Sequence, residues 1–269
     1  MFIHGSCTTA DICYKSAAAV LSERYHCVLV HLDGHEAGKK NSFISLNLEC
    51  EKIEHFVHKH YGGKLFGLTG LSLGATICVH LMTRGNITVQ KILLDGVYCV
   101  DVGFLQTWVN ILTCIPGIKY LKMGGNVPDI LVEKIFGKGN TSVVKMLFEG
   151  MSAASVKNVC TQVYRYRISS GISKCSSDIL CIRGEYEPIP EKTFVLLKQY
   201  LPHIKELVIP DCGHAQLLHE HGEMYCELAD DFFGKKSTSV EQKAEGELHS
   251  SEYGDIDRHS VSCGDHAGS

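Results

Sequence analysis

The pentapeptide Gly70-Leu71-Ser72-Leu73-Gly74 lies between the apolar run Leu65-Phe66-Gly67-Leu68 and a segment, Leu73 to Met82, that is apolar nearly all round. No other feature constrains the fold as strongly. A short apolar run followed at once by a buried-type helical pattern reads as strand, sharp turn, helix. Glycines on both sides of a serine let the backbone make that turn and let neighbouring elements approach closely. The hydroxyl then projects from the top of a sheet. So short a pattern draws its weight from the rest of the chain.

The rest of the chain has the rhythm such a turn requires. Short apolar runs alternate with helix-period segments, the mark of an α/β architecture. Phe2-Ile3 reads as the end of a strand running into His4-Gly5, and Ser16 to Arg24 predicts a helix. Cys27 to Leu32 is a continuous apolar run, as in strands covered on both faces. Leu46 to His60 predicts a helix, and Gly85-Asn86 stops the one that follows Ser72. Ile92-Leu93-Leu94 is a strand ending at Asp95-Gly96. Further strands are predicted at Ile179 to Gly184 and Leu207 to Pro210, with a helix between them that has Pro190 near its first turn. Leu217 to Phe233 predicts a closing helix. The fold class is therefore α/β, a mostly parallel central sheet flanked by helices.

Between Val97 and Ser177 the pattern is helical only. Leu105, Trp108, Val109 and Leu112 recur at helical spacing, then Ile130 to Ile135, then Val143 to Met151. The block is too long for one crossover and predicts an inserted helical lid. The expected organisation is core over 1–96, lid over 97–177, core again over 178–234, and a disordered polar tail over 235–269, where large aliphatics nearly vanish.

Composition narrows the function classes. A chain of 269 residues, 45% hydrophobic, suits one domain with a sizeable core. A net charge of −4, with no basic cluster interleaved with aromatics, points away from nucleic acid. The 13 cysteines are scattered, several inside apolar runs, and none form a C-x-x-C. They read as small buried hydrophobes of a reducing compartment, which predicts a cytoplasmic location. Cys7 and Cys212, close to candidate site residues, read as structural thiols. The start, Met1 to Gly5, lacks a charged region followed by an apolar stretch. The most apolar long segment, Val97 to Ile118, carries Asp101, Gln106 and Asn110, so no membrane span is expected. The groups His55/His58/His60 and His31/Asp33/His35 lack completing ligands and read as solvated side chains, so no metal is expected. No nucleotide-binding glycine pattern occurs, and no cofactor is expected. Oligomeric state is left open.

Serine needs a base to take its proton, a group to orient that base, and donors for the developing oxyanion. In a parallel sheet, loops at the carboxyl ends of strands converge. Ser72, an acid after a later strand, and His214 within Gly213-His214 after the last strand follow the order Ser…Asp/Glu…His. In this the chain resembles the α/β-hydrolase family. His4-Gly5-Ser6 resembles that family's oxyanion loop, and Leu32-Asp33-Gly34-His35 is similar to its post-strand Asp-x-x-Gly-His region in shortened form. Gly184-Glu185-Tyr186-Glu187 resembles its Gly-x-x-Asp.

The resemblance covers about Met1 to Phe233. It implies Ser72 as nucleophile, His214 as general base, and the backbone N–H groups of Ser6 and Leu73 as oxyanion hole. It aligns Glu187 with the acid, and Asp95 and Glu185 remain alternatives. The implied activity is that of a serine hydrolase acting on a small or medium carboxylic ester or thioester through an acyl-enzyme. The same machinery also serves carbon–carbon bond hydrolysis, elimination or acyl transfer, and the scaffold also serves non-catalytic ligand binding. The family usually has two further strands before the oxyanion loop. This chain begins at what would be the third, which implies an uncovered sheet edge.

Overall fold

The computed structural model describes residues 1–36, 38–123 and 151–235. Its strands are β1 (Phe2–Ile3), β2 (Leu29–Val30), β3 (Lys64–Leu71), β4 (Thr88–Asp95), β5 (Asp178–Gly184) and β6 (Lys205–Ile209). All pair in parallel, in the order β2-β1-β3-β4-β5-β6, so β2 and β6 are the edges. The helices are α1 (Ala10–Leu21), α2 (Leu46–Tyr61), α3 (Leu73–Arg84), α4 (Phe104–Lys122), α5 (Ala153–Val163), α6 (Pro188–Tyr200), α7 (Gln216–Glu220) and α8 (Gly222–Gly234), with a 3₁₀ turn at Ser170–Lys174.

The sheet is covered on both faces, which explains its uninterrupted apolar strands. Ile3, Leu68, Ile92 and Leu94 pack with Ile53 of α2 and Ile77 of α3. Phe2, Leu71, Leu93 and Ile182 pack on the other side with Tyr14 of α1 and Tyr225 of α8. Each fully buried Leu or Ile contributes roughly 1.5–3 kcal/mol. Register places Leu71 opposite Asp95 and Asp95 opposite Ile182, so the carboxyl ends of β3, β4 and β5 form one level row. A cavity of about 320 Å³, lined in part by Met1, Tyr25, Tyr61 and Phe66, lies at the amino end of the sheet, away from that row.

Several element boundaries differ from those predicted, each for a local reason. The first helix starts at Ala10 rather than Ser16, because Thr9 caps it by accepting from the Ile12 N–H at 3.3 Å. The second strand shrinks from Cys27–Leu32 to Leu29–Val30, and the Leu32 N–H donates to His4 Nε2 at 3.1 Å instead of to a ladder. The closing helix is broken into α7 and α8, since His221 leaves helical conformation (φ −124°, ψ 46°) just before Gly222, a poor helix former. The helix over Leu46–Tyr61 is as predicted, capped by Ser45 and ended by Gly62 in the left-handed region.

Among the described residues, the insertion between β4 and β5 contains α4, α5 and the 3₁₀ turn, and no strand. Its two stems are tied together. The Val102 N–H donates to the Tyr164 carbonyl at 2.9 Å, and Asp101 pairs with Arg165 at 2.7 Å and Arg167 at 2.9 Å. The helical stretches predicted at Ile130–Ile135 and over most of Val143–Met151, and the polar tail beyond Lys235, lie outside the described residues.

Candidate active site

Ser72 stands at the turn from β3 into α3 with φ 54° and ψ −112°, a conformation that side-chain-bearing residues rarely adopt. The surroundings enforce it. The Ser72 N–H donates to the Asp95 carbonyl at 2.8 Å, and the Thr76 hydroxyl donates to the Ser72 carbonyl at 3.3 Å. Gly74 makes the third restraint possible, since a Cβ there would sit 2.0 Å from the Ile3 carbonyl oxygen. With only hydrogen at that position, α3 presses against the end of β1 and brings the loop after Ile3 up to the turn. Strain of this kind costs of order 1–3 kcal/mol and is characteristic of functional sites. The Ser72 hydroxyl is partly exposed and makes no capping bond to its own helix.

The loop after β1 is fixed by His4, which is fully buried. Its Nδ1 bonds the Gly5 carbonyl at 2.8 Å and its Nε2 accepts from the Leu32 N–H at 3.1 Å. Only the neutral imidazole with its proton on Nδ1 satisfies both. Burial, and then the neighbouring His35, hold its pKa well below the ordinary histidine value. Ser6 follows directly. Among the described residues neither the Ser6 nor the Leu73 N–H donates to a backbone acceptor, and Leu73 opens α3, where the first amides have no partner within the helix.

Further along the sheet, the turn after β5 carries Glu187 and the loop after β6 carries His214. Glu187 Oε1 bonds His214 Nδ1 at 2.5 Å, and Glu187 Oε2 accepts from the Gly184 N–H at 2.6 Å. Both carboxylate oxygens are thus engaged and the side chain is buried. The ring of Tyr98 meets the His214 ring edge to face at 5.2 Å. Burial alone disfavours the His214 cation. The hydrogen bond and charge of Glu187, with the charge of Asp95, outweigh it and raise the pKa above the ordinary value. With Nδ1 committed to Glu187, Nε2 is the free basic atom. His214 and the Ser72 hydroxyl are not hydrogen-bonded to one another.

Gly96 lies beneath this pair at φ +55°, and a Cβ there would stand 2.7 Å from His214 Cε1 and 3.1 Å from Glu187 Oε1. In the sequence Gly96 reads only as the residue after a strand end. The need for a bare backbone under the imidazole appears only when the strands are assembled. Tyr98 had no local signal either.

The other two candidate acids have different surroundings. Glu185 is exposed, and its Oε2 accepts from the Asp211 N–H at 3.0 Å. Asp95 is buried, and its Oδ2 has no hydrogen-bond partner among the described residues. Burial, and then the charge of Glu187, push its pKa up to about 7. His214 is therefore hydrogen-bonded to Glu187, with Asp95 a second carboxyl close by.

One expectation fails. His35 is buried rather than solvated. Its Nδ1 bonds the Asp33 carbonyl at 2.9 Å, and burial lowers its pKa to about 4. Its ring packs edge to face with His4 at 5.1 Å and with Phe43 at 6.1 Å, and Asp33 beside it is held by Lys52 and Asn41. His55, His58 and His60 are exposed, as expected. Among the described residues no group of three His, Cys, Asp or Glu side chains could hold a metal ion, and no helix is long and apolar enough to cross a membrane. Burial pushes the Cys7 thiol up to about 12 and raises Cys212 as well, which keeps both protonated at neutral pH.

Most of the chain superposes on solved structures. An alpha/beta hydrolase family protein from Desulfitobacterium hafniense aligns over 86% of this chain and 93% of its own, with TM-score 0.71 and 23% identity. The chain has the α/β-hydrolase fold. MenH from S. aureus aligns at TM-score 0.61 and 15% identity, over 87% of this chain and 92% of its own. A thermophilic esterase from Thermogutta terrifontis aligns at TM-score 0.63 and 15% identity, over 88% and 89%. No family model matches the sequence, and no curated protein does. At these identities the likeness is one of fold, and a fold of this kind hosts many chemistries.

Proposed function

We propose that the protein is a serine hydrolase that cleaves a small or medium carboxylic ester or thioester through an acyl-enzyme. The observation that carries the reading is the 2.5 Å Glu187–His214 hydrogen bond beside the strained Ser72 turn. A carboxylate bound to Nδ1 fixes the tautomer that leaves Nε2 free to accept a proton.

In this reading Ser72 Oγ rotates to His214 Nε2 as substrate enters. Catalytic hydrogen bonds are often unformed in a free site. Oγ attacks the acyl carbonyl, and its proton passes to Nε2. The Ser6 and Leu73 amides receive the oxyanion, the largest single electrostatic contribution in such sites. His214 returns the proton to the leaving alcohol or thiol. Water, deprotonated by the same nitrogen, then releases the acid. Glu187 stabilises the imidazolium throughout. The insertion over 97–177 serves as the lid, and its apolar side chains favour an acyl or aromatic group.

A fluorophosphonate probe followed by peptide mass spectrometry tests the nucleophile. An adduct on Ser72 of the folded protein, absent from Ser72→Ala, supports it, and its absence from Ser72 overturns it. A chain-length panel of p-nitrophenyl esters, with Ser72→Ala as control, then tests ester hydrolysis.

A further inference from the structure

Tyr98 stands at a junction that no step of the proposed reaction uses. It lies on the loop that leaves β4 for the insertion, and its backbone is held on both sides. The Thr76 hydroxyl donates to the Tyr98 carbonyl at 2.8 Å and to the Ser72 carbonyl at 3.3 Å, so one side chain of α3 ties Tyr98 to the turn that carries Ser72. The next amide, that of Cys99, donates to the Thr193 hydroxyl at 3.0 Å, and Thr193 lies on α6, the helix that Glu187 caps. The Tyr98 ring meets two other rings. It lies edge to face with His214 at 5.2 Å and 76°, and edge to face with Tyr164 at 6.1 Å and 73°. Tyr164 ends α5 and its carbonyl accepts from the Val102 N–H at 2.9 Å, so it belongs to the stem of the insertion.

We infer that Tyr98 is a positioning residue, a ring through which the stem of the insertion sets the tilt of the His214 imidazole. The inference rests on the proposed roles of Ser72 and His214. Glu187 holds the imidazole at one atom, Nδ1. A single hydrogen bond tolerates a broad range of angles and restrains the plane of the ring only weakly. Nε2, on the far side of the ring, is the atom that must meet Ser72 Oγ. A tilt about the Nδ1 end moves Nε2 most. The Tyr98 ring supplies the missing restraint, since the aromatic quadrupole makes an edge-to-face contact directional.

The same geometry connects the base to the insertion. Thr76 and Thr193 hold the Tyr98 backbone, so the freedom left to Tyr98 is rotation of its ring. Tyr164 braces that ring on one side and His214 meets it on another. Withdrawal of Tyr164 with its stem lets the Tyr98 ring turn, and the imidazole loses its lateral support. An insertion seated on the core therefore holds His214 in place, and a displaced one releases it. The relay needs the ring of Tyr98 and makes no use of its hydroxyl.

The test compares Tyr98→Leu, Tyr98→Phe, Tyr164→Ala and the Tyr98→Leu/Tyr164→Ala double variant of the full chain. Leucine keeps apolar bulk at the position and removes the ring. On p-nitrophenyl acetate, Tyr98→Leu should lower kcat by about 10–10²-fold, the scale set by a small misplacement of a catalytic group, and leave KM nearly unchanged. Tyr98→Phe should restore most of the loss. Tyr164→Ala should lower kcat less, and should add nothing in the Tyr98→Leu background, because it acts through that ring. NMR of the His214 ring protons reads the contact without turnover. Their shifts should be kept in Tyr98→Phe and should move in the same direction in Tyr98→Leu and Tyr164→Ala. A wild type that takes no fluorophosphonate on Ser72 overturns the hydrolase reading and this inference with it. With a labelled, active wild type, three results each overturn this inference alone. They are unmoved His214 resonances in Tyr98→Leu, a Tyr98→Phe as slow as Tyr98→Leu, and fully additive losses in the double variant. If Tyr98→Leu does not fold, Tyr98→Phe and Tyr164→Ala decide by the His214 resonances, which must hold in the first and move in the second.

Discussion

Glu187 and His214, brought together from the ends of β5 and β6, share a 2.5 Å hydrogen bond, and the backbone of Gly96 runs directly beneath them. The carboxylate is buried and its second oxygen is tied to the Gly184 N–H at 2.6 Å, so the imidazole is oriented by a group that cannot easily move. The nearby Asp95 lacks such ties on one oxygen.

That difference predicts a clear ranking of carboxylate variants. Under the proposed mechanism Glu187→Gln removes the charge that stabilises the imidazolium and should lower kcat by about 10³–10⁴-fold, as loss of the acid does in serine proteases. Glu185→Gln should leave kcat within a factor of a few, because Glu185 bonds only the exposed Asp211 N–H. Asp95→Asn should fall far short of Glu187→Gln. Steady-state kinetics on a p-nitrophenyl ester measures all three, and an Asp95→Asn defect as deep as that of Glu187→Gln would assign the acid role to Asp95 instead.

The same pair sets the pH dependence of turnover. The proposed base must be neutral, and Glu187 holds the His214 pKa above the ordinary 6.5 despite burial. The acid limb of kcat/KM should therefore have its midpoint above 6.5. In Glu187→Gln, burial acts with one opposing charge fewer, so the residual activity should show that midpoint moved downward. A pH–rate profile of the two proteins checks it. An unmoved limb would mean that another group titrates.

Gly96→Ala should damage the site without replacing any side chain that the proposed reaction uses. The new methyl would stand 2.7 Å from His214 Cε1 at a residue whose φ is +55°. Either the imidazole moves off Glu187 or the strand end shifts. A shift of the order of 1 Å at a catalytic group is worth ~10²-fold in rate. The left-handed backbone adds a stability loss of order 1–3 kcal/mol. Urea unfolding and ester kinetics separate the two effects, and wild-type rate in Gly96→Ala would remove Gly96 from the site's design.

Much of this was legible in the sequence because it is local. A helix capped by Ser45 and stopped by Gly62, and a strand that ends in a Gly-flanked serine, are written in consecutive residues. The parallel sheet follows from alternation, and the candidate site residues are those that the α/β-hydrolase resemblance implies at the carboxyl ends of strands. What sequence could not supply depends on assembly. The resemblance aligns Glu187 with the acid and leaves Asp95 open; which carboxylate bonds Nδ1 is seen only in the assembled fold. The burial of His35 rests on its packing with His4 and Phe43, residues far from one another in sequence.

Asp95 also predicts how stability varies with pH. Its folded pKa is about 7 against an ordinary 3.8, because burial and the Glu187 charge disfavour its anion. Between about pH 4 and 7 the unfolded chain has lost this proton while the folded protein keeps it. Raising the pH through that window therefore removes stability, and the loss is complete above the folded value. At 1.36 kcal/mol per pH unit the full loss is on the order of 4 kcal/mol. Glu49, likewise raised to about 7 by burial, adds a loss of the same sign. His4 and His35, held neutral by burial, act oppositely. They destabilise the protein as pH falls below 6.5, since the unfolded chain then binds protons that the folded one refuses. The wild-type curve sums these effects, so the difference from Asp95→Asn is the informative quantity. The variant should be more stable than wild type at pH 8, and the gap should shrink toward pH 4. Urea denaturation of both proteins at pH 4.5, 6 and 8 measures it, and a gap that does not change with pH would show that Asp95 is ionised in the fold.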